Sequence, residues 1–94
     1  MYIKTFRDRV NKQLNEEIPC HGVDVPITKI CEIVKSHGGM PIQEDGEEWN
    51  GFLCGEQGNT IIVVTHPDFR LKCYLNVSWY KLESGRWETV VYLS

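Results

Sequence analysis

The chain changes its periodicity at Met40. Before that point apolar residues recur every three or four positions: Ile3, Phe6, Val10, Leu14 and Ile18, then Ile27, Ile30, Ile33 and Val34. After it they alternate with polar residues, and the alternation is broken at close intervals by the turn signals EDGE, GEQGN, HPDF and ESGR. A spacing of three to four aligns side chains on one helix face, whereas a spacing of two puts them on one side of a strand. The pattern therefore predicts an α+β fold: two N-terminal helices packed on one face of a four- to five-stranded antiparallel meander sheet. The helices are expected over about 4–17 and 26–37, with Pro19 ending the first, Pro26 opening the second and Gly38 stopping it. The sheet is expected over about 40–93. With 94 residues in all, one core and one domain are the capacity of the chain.

The turns set the registers. Asp45-Gly46 fits a primed two-residue hairpin that places Glu44 opposite Glu47. EQG and ESG each fit a three-residue loop closed by a left-handed glycine, at Gly58 and Gly85. In HPDF, Pro67 suits the second position of a type I turn. Counting outward, Cys54 is expected opposite Thr60, Phe52 opposite Ile62, Val64 opposite Leu71, Ile62 opposite Cys73, Val77 opposite Val91, and Trp79 opposite Thr89. These registers agree on a core face made of Phe52, Cys54, Ile62, Val64, Leu71, Cys73, Leu75, Val77, Trp79, Trp87, Val91 and Leu93.

The same count leaves a second face with more apolar area than a solvated sheet normally carries: Ile42, Trp49, Leu53, Ile61, Val63, Tyr74, Tyr80, Val90 and Tyr92, among Lys72, Asn76, Ser78 and Glu88. Soluble monomers seldom leave such a patch bare. The first helix crossing over, a second copy of the chain, or a different partner would each cover it.

Bulk properties narrow the function classes. A net charge of −3 gives no general attraction to nucleic acid. No apolar run approaches the roughly 18 residues of a membrane span. The opening MYIKTFRDRV has no apolar signal region, which predicts a cytoplasmic protein. In a reducing compartment Cys20, Cys31, Cys54 and Cys73 are expected as free thiols, and Cys54 and Cys73 fall on strands roughly 9 to 10 Å apart, beyond disulfide reach. The chain contains no alanine, which suggests an AT-rich coding source such as a phage or mobile element.

Catalytic and metal signatures are weak. Cys20, His21, Cys31 and His37 have the right residue types for zinc but not the spacing of a finger, and the better reading is a buried thiol with surface histidines. Cys20-His21 lacks an orienting partner for nucleophilic catalysis. His66-Pro67-Asp68 resembles the signature of J-domain co-chaperones, which lies between two helices; here both flanks are strand-like, and a β-turn is the reading. The order of KICEIVKSHGGMPIQ and the strand pair after it is similar to that of small dsRBD-like modules of toxin and antitoxin systems. No cofactor and no metal are expected.

The residues point instead to a small non-enzymatic protein-binding module. Its general type resembles phage or mobile-element inhibitors, immunity proteins and anti-defence proteins, which act by blocking a partner protein. The expected partner-binding residues are Trp49, Leu53, Ile61, Val63, Tyr74, Tyr80 and Tyr92, with Glu44, Asp45, Glu47 and Glu48 as an acidic margin suited to a basic, nucleic-acid-binding protein. A homodimer is the second form such a surface takes. The alternative is a nucleic-acid-binding domain using Lys4, Arg7, Arg9 and Lys12 on the first helix, with Lys72, Tyr74 and Tyr80 stacking bases.

Overall fold

A computed structural model of the chain describes residues 2–18, 27–42 and 58–94. Among these residues two helices, α1 (Ile3–Glu17) and α2 (Ile27–Ser36), precede four strands: β1 (Met40–Ile42), β2 (Gly58–His66), β3 (Phe69–Lys81) and β4 (Trp87–Leu93). The sheet is antiparallel throughout, in the order β1-β2-β3-β4. Both helices thus come first in the chain and the sheet follows, the α+β arrangement that the change of period implies.

Each helix ends for a local reason. Ile18 has left the helix for an extended conformation (φ −96°, ψ 116°), the region a residue preceding proline favours, while its N–H still donates to Leu14 O. At the end of α2, the N–H groups of Gly38 and Gly39 donate to Lys35 O and Val34 O, and Gly38 sits at φ +88°, a left-handed stop. A Cβ on Gly38 would also stand 2.8 Å from His66 Nε2, so the site needs glycine twice over.

The core lies between the helices and one sheet face. Phe6, Val10, Leu14 and Ile18 of the first helical stripe and Ile27, Ile30, Cys31, Ile33 and Val34 of the second meet Ile62, Val64, Cys73, Leu75, Val77 and Leu93. Trp79 and Val91 pack against this cluster while remaining partly accessible. The fully buried members of the sheet face are residues the loop-derived registers assign to it, but one of those registers and the reading of one turn glycine need correction.

The first correction concerns β2 and β3. His66 pairs with Phe69 across Pro67-Asp68, the alignment that HPDF implies, but the next pair along is Val64 with Cys73. Between them β2 supplies Thr65 alone and β3 supplies Arg70, Leu71 and Lys72, a bulge that shifts the ladder by two. Ile62 therefore faces Leu75 rather than Cys73. A shift of two preserves the faces, so Cys73, Leu75 and Val77 stay inward. Leu71 does not: lifted out by the bulge, it is 69% exposed.

The second concerns Gly58. It is the first residue of β2, paired with Trp79, and is not left-handed; a Cβ there would lie 2.7 Å from the Trp79 ring. Gly58 is required by the indole lying over it, not by a turn. Gly85 does take φ +87° in the β3–β4 loop, and Val77 and Trp79 do face Val91 and Thr89.

The edge of β2 at Val63–Thr65 is occupied by β1, so Met40–Ile42 lies directly beside β2. Gly39 makes this possible, because its backbone passes between Phe6 and Val34 where a Cβ would be 2.7 Å from each. Phe52 and Cys54, with their expected pairings, lie outside the described residues. Cys31 and Cys73 are free and buried. No helix among the described residues is long and apolar enough to cross a membrane.

Two polar residues, His66 and Thr89, are buried on the core side. His66 is stacked on Phe69 (ring centroids 4.6 Å apart, 8° between planes) and tilted against Phe6. Its Nδ1 accepts the Asp68 N–H at 3.0 Å, which leaves Nε2 to donate to His37 O at 3.3 Å. His66-Pro67-Asp68 is accordingly a β-turn whose histidine ties the β2–β3 turn to the end of α2.

Candidate functional site

The second sheet face is assembled by the observed registers into rows that cross the strands. Ile42, Val63 and Tyr74 form one row, Ile61, Asn76 and Tyr92 the next, Asn59, Ser78 and Val90 a third, and Tyr80 with Glu88 a fourth. Ile61 is 62% exposed and Tyr92 49%; Ile42, Tyr74 and Val90 are similarly open, while Val63 and Tyr80 are half-buried. Both helices lie on the other side, so the first helix does not cover this face, and among the described residues it is bare.

Asn76, the polar residue in the middle, is turned onto the protein's own groups. Its Nδ2 donates to Tyr74 O at 2.9 Å and to Ser94 Oγ at 3.0 Å. The aromatic and aliphatic side chains around it therefore need not be kept apart by a hydrated amide. At the far end Tyr80 donates its hydroxyl to Glu88 at 3.1 Å; that hydrogen bond, followed by burial and the carboxylate charge, raises the Tyr80 pKa. Tyr80 is thus a neutral phenol with its polar end engaged and its ring edge available.

Of the residues expected to bind a partner, Ile61, Val63, Tyr74, Tyr80 and Tyr92 share this face. Trp49, Leu53, Glu44, Asp45, Glu47 and Glu48 lie outside the described residues, as do Cys20 and His21. Cys31 is buried in the core, where desolvation pushes its pKa up to about 11 against the opposing charge of Lys35. His37 contacts Gln13 Oε1 through Nε2 at 2.6 Å. Among the described residues no group of three or more His, Cys, Asp and Glu is placed to hold a metal.

The four cations of α1 do not form one patch. Successive helix residues turn by about 100°, so Arg7 and Arg9 point about 200° apart. Lys4, Arg9 and Lys12 are exposed, whereas Arg7 is half-buried and leans toward β3. Its charge is felt at Cys73, whose pKa is raised by burial and lowered again, to a lesser degree, by Arg7.

Arg7 belongs to a notch of about 620 Å³ that it shares with Ile3 of α1, Arg70, Leu71, Lys72 and Tyr74 of β3, and Ser94. Ser94 closes the β3–β4 ladder with paired backbone hydrogen bonds to Tyr74, each 2.9 Å, and β3 runs on beyond it to Phe69. The bulge then brings Arg70, Leu71 and Lys72 to the notch. Arg70 and Leu71 were not legible as site residues, although a leucine between two cations is a poor fit to a buried strand. A smaller hollow of about 290 Å³ lies between Leu14 and Asn15 of α1, Ile18 just after it, and Thr89–Val91, and none of its described lining residues is charged.

A comparison with protein-family models, with curated proteins and with solved structures finds no match to this chain.

Proposed function

We propose that this chain is a small non-enzymatic binding module that docks a partner protein on its second sheet face and blocks it. The kind of protein this describes is an inhibitor, immunity or anti-defence protein of phage or mobile-element origin. The observation that supports the reading is the continuity of Ile42, Val63 and Tyr74 with Ile61 and Tyr92 across neighbouring strands, on a face the chain's own helices leave bare. Aromatic residues fixed on strands lose little side-chain entropy on binding, and the hydroxyls of tyrosine tolerate both water and a partner. An interface core with few charges and several aromatics is the composition that carries binding hot spots. Glu44, Asp45, Glu47 and Glu48, which follow Ile42 in the sequence, supply the carboxylates that would favour a basic partner such as a nucleic-acid-binding protein.

The test is affinity capture from a lysate of the source cell, with and without nuclease, using the native chain and an Ile61→Asp variant. The reading requires a protein that survives nuclease treatment and is lost with Ile61→Asp. Sedimentation across a range of concentrations separates this from self-association: a native chain that dimerises tightly while Ile61→Asp is monomeric would replace the partner with a second copy.

A further inference from the structure

We infer that the notch between the start of α1 and the bulge of β3 is a binding site for single-stranded nucleic acid, with Arg7, Arg70 and Lys72 taking phosphates and Tyr74 taking a base. The notch adjoins the docking face proposed above, and Tyr74 belongs to both.

The electrostatics favour an anion. Among the described residues, every charged side chain that lines the notch is a cation, in a chain whose net charge is −3. Among the described residues none of Arg7, Arg70 and Lys72 is engaged in an ion pair or a side-chain hydrogen bond. They come from two elements far apart in sequence, and the bulge that delivers Arg70 and Lys72 displaces Leu71 from the core to do so. A bulge that re-aims side chains at the end of a ladder commonly marks a functional position.

The remaining lining selects among anions. Tyr74 is 45% exposed and, through the Val63↔Tyr74 pairing, stands on the sheet's open face at the mouth of the notch. Tyr92 lies diagonally across from it, because Asn76 is the residue that faces Tyr92. Cations that follow a phosphate backbone, beside aromatic rings on a sheet that accept unstacked bases, make up the recurrent single-strand recognition pattern. Duplex is disfavoured, since a base must leave its stack to meet Tyr74. An acidic peptide would use the cations but not the ring.

The experiment is fluorescence anisotropy with a short fluorescein-labelled oligothymidylate and the full chain. Arg70, Lys72, Tyr74 and Lys12 are all exposed, so their alanine variants are expected to keep the native circular dichroism. Three phosphate contacts on a single strand predict a slope of about −2 in log affinity against log salt, so binding weakens roughly 15-fold between about 50 and about 200 mM salt. The Arg70→Ala/Lys72→Ala variant should lose at least about tenfold in affinity, and Tyr74→Ala at least about fivefold. Lys12→Ala, outside the notch, should bind as the native chain does. Failure of the native chain to bind at low salt overturns the inference, as does binding that Arg70→Ala/Lys72→Ala leaves intact. Equal competition by polyphosphate and polyglutamate, with Tyr74→Ala silent, would reduce the site to a generic polyanion patch and overturn the nucleic-acid assignment. None of these outcomes depends on whether a protein is captured on the Ile61 face.

Discussion

Asn11 holds the end of β4 by bonding both backbone groups of Leu93: its Nδ2 donates to Leu93 O at 2.9 Å, and the Leu93 N–H donates to its Oδ1 at 2.6 Å. Leu93 pairs with Leu75 on one side, and on its other side the helix amide stands where a fifth strand would bond. One side chain thus does for the edge what a neighbouring backbone would do, and fixes the helix against the sheet. Asn11→Ala should cost about 1 to 3 kcal/mol, because it leaves two partly buried backbone groups without partners. Asn11→Asp should also be destabilising, since a carboxylate accepts from the N–H but repels the carbonyl. Urea unfolding measures both, and an aspartate variant as stable as the native chain would show that only the N–H bond matters.

The bulge in β3 makes Leu71 and Leu75 energetically unlike, although they are of one type and one parity. Leu75 is fully buried and Leu71 is 69% exposed. Leu75→Ala should cost about 2 to 5 kcal/mol, and Leu71→Ala should stay within about 0.5 kcal/mol of the native chain. A large penalty at Leu71 would restore the uninterrupted register, with Val64 opposite Leu71. Trp79→Ala should fall between them. Its ring packs on the core and over Gly58, yet it is only partly buried.

The difference between these two leucines shows where the sequence was readable. A loop of fixed length dictates register locally, so ESG with its left-handed Gly85 placed Val77 and Trp79 against Val91 and Thr89. The two faces of β3 were readable for the same reason, because a shift of two leaves parity unchanged. The bulge itself has no local signature: Leu71 alternates like its neighbours, yet Cys73 and Leu75 join the core and Leu71 does not. Which face α1 covers was open too, since the stripe Phe6, Val10, Leu14 and Ile18 fits any apolar sheet. Asn11 and His66 act through Leu93 and His37, residues 82 and 29 positions away. Contacts at that separation leave no periodic trace.

Cys31 makes stability fall at alkaline pH. Burial favours the neutral thiol and pushes its pKa from 9.0 to about 11 in the folded chain. Above pH 9 the unfolded chain releases this proton while the folded chain retains it, so unfolding is increasingly favoured until the folded-state pKa is passed. The contribution is fully present below pH 9 and lost between there and about pH 11. Cys31→Val keeps the apolar shape and removes the proton. Unfolding free energies of the two proteins, followed from pH 8 to pH 11, should therefore diverge with the native chain falling faster; parallel curves would mean that Cys31 does not titrate within this range. The same burial should protect the thiol from alkylation until the chain opens.

The docking face can be separated from the core that supports it. Ile61 and Tyr92 lie in one row on either side of Asn76, both largely exposed, and neither contributes to the buried cluster. Ile61→Asp and Tyr92→Ala should each alter stability by no more than about 1 kcal/mol, as surface substitutions do. At the centre of an interface the same changes act differently: aspartate would be buried unpaired, and the lost ring would remove an aromatic anchor. Either should weaken partner binding by at least about 2 kcal/mol, appearing mainly as faster dissociation. Charge reversal at Glu44, Asp45, Glu47 and Glu48 should do the opposite in kinetic terms, slowing association with a basic partner and reducing its salt dependence while leaving dissociation nearly unchanged. Surface-plasmon measurements at two salt concentrations distinguish the two signatures. If the carboxylate reversal changed dissociation and the Ile61 and Tyr92 variants changed nothing, the energetic centre of the interface would lie on the acidic segment, and the sheet face would lose its assigned role.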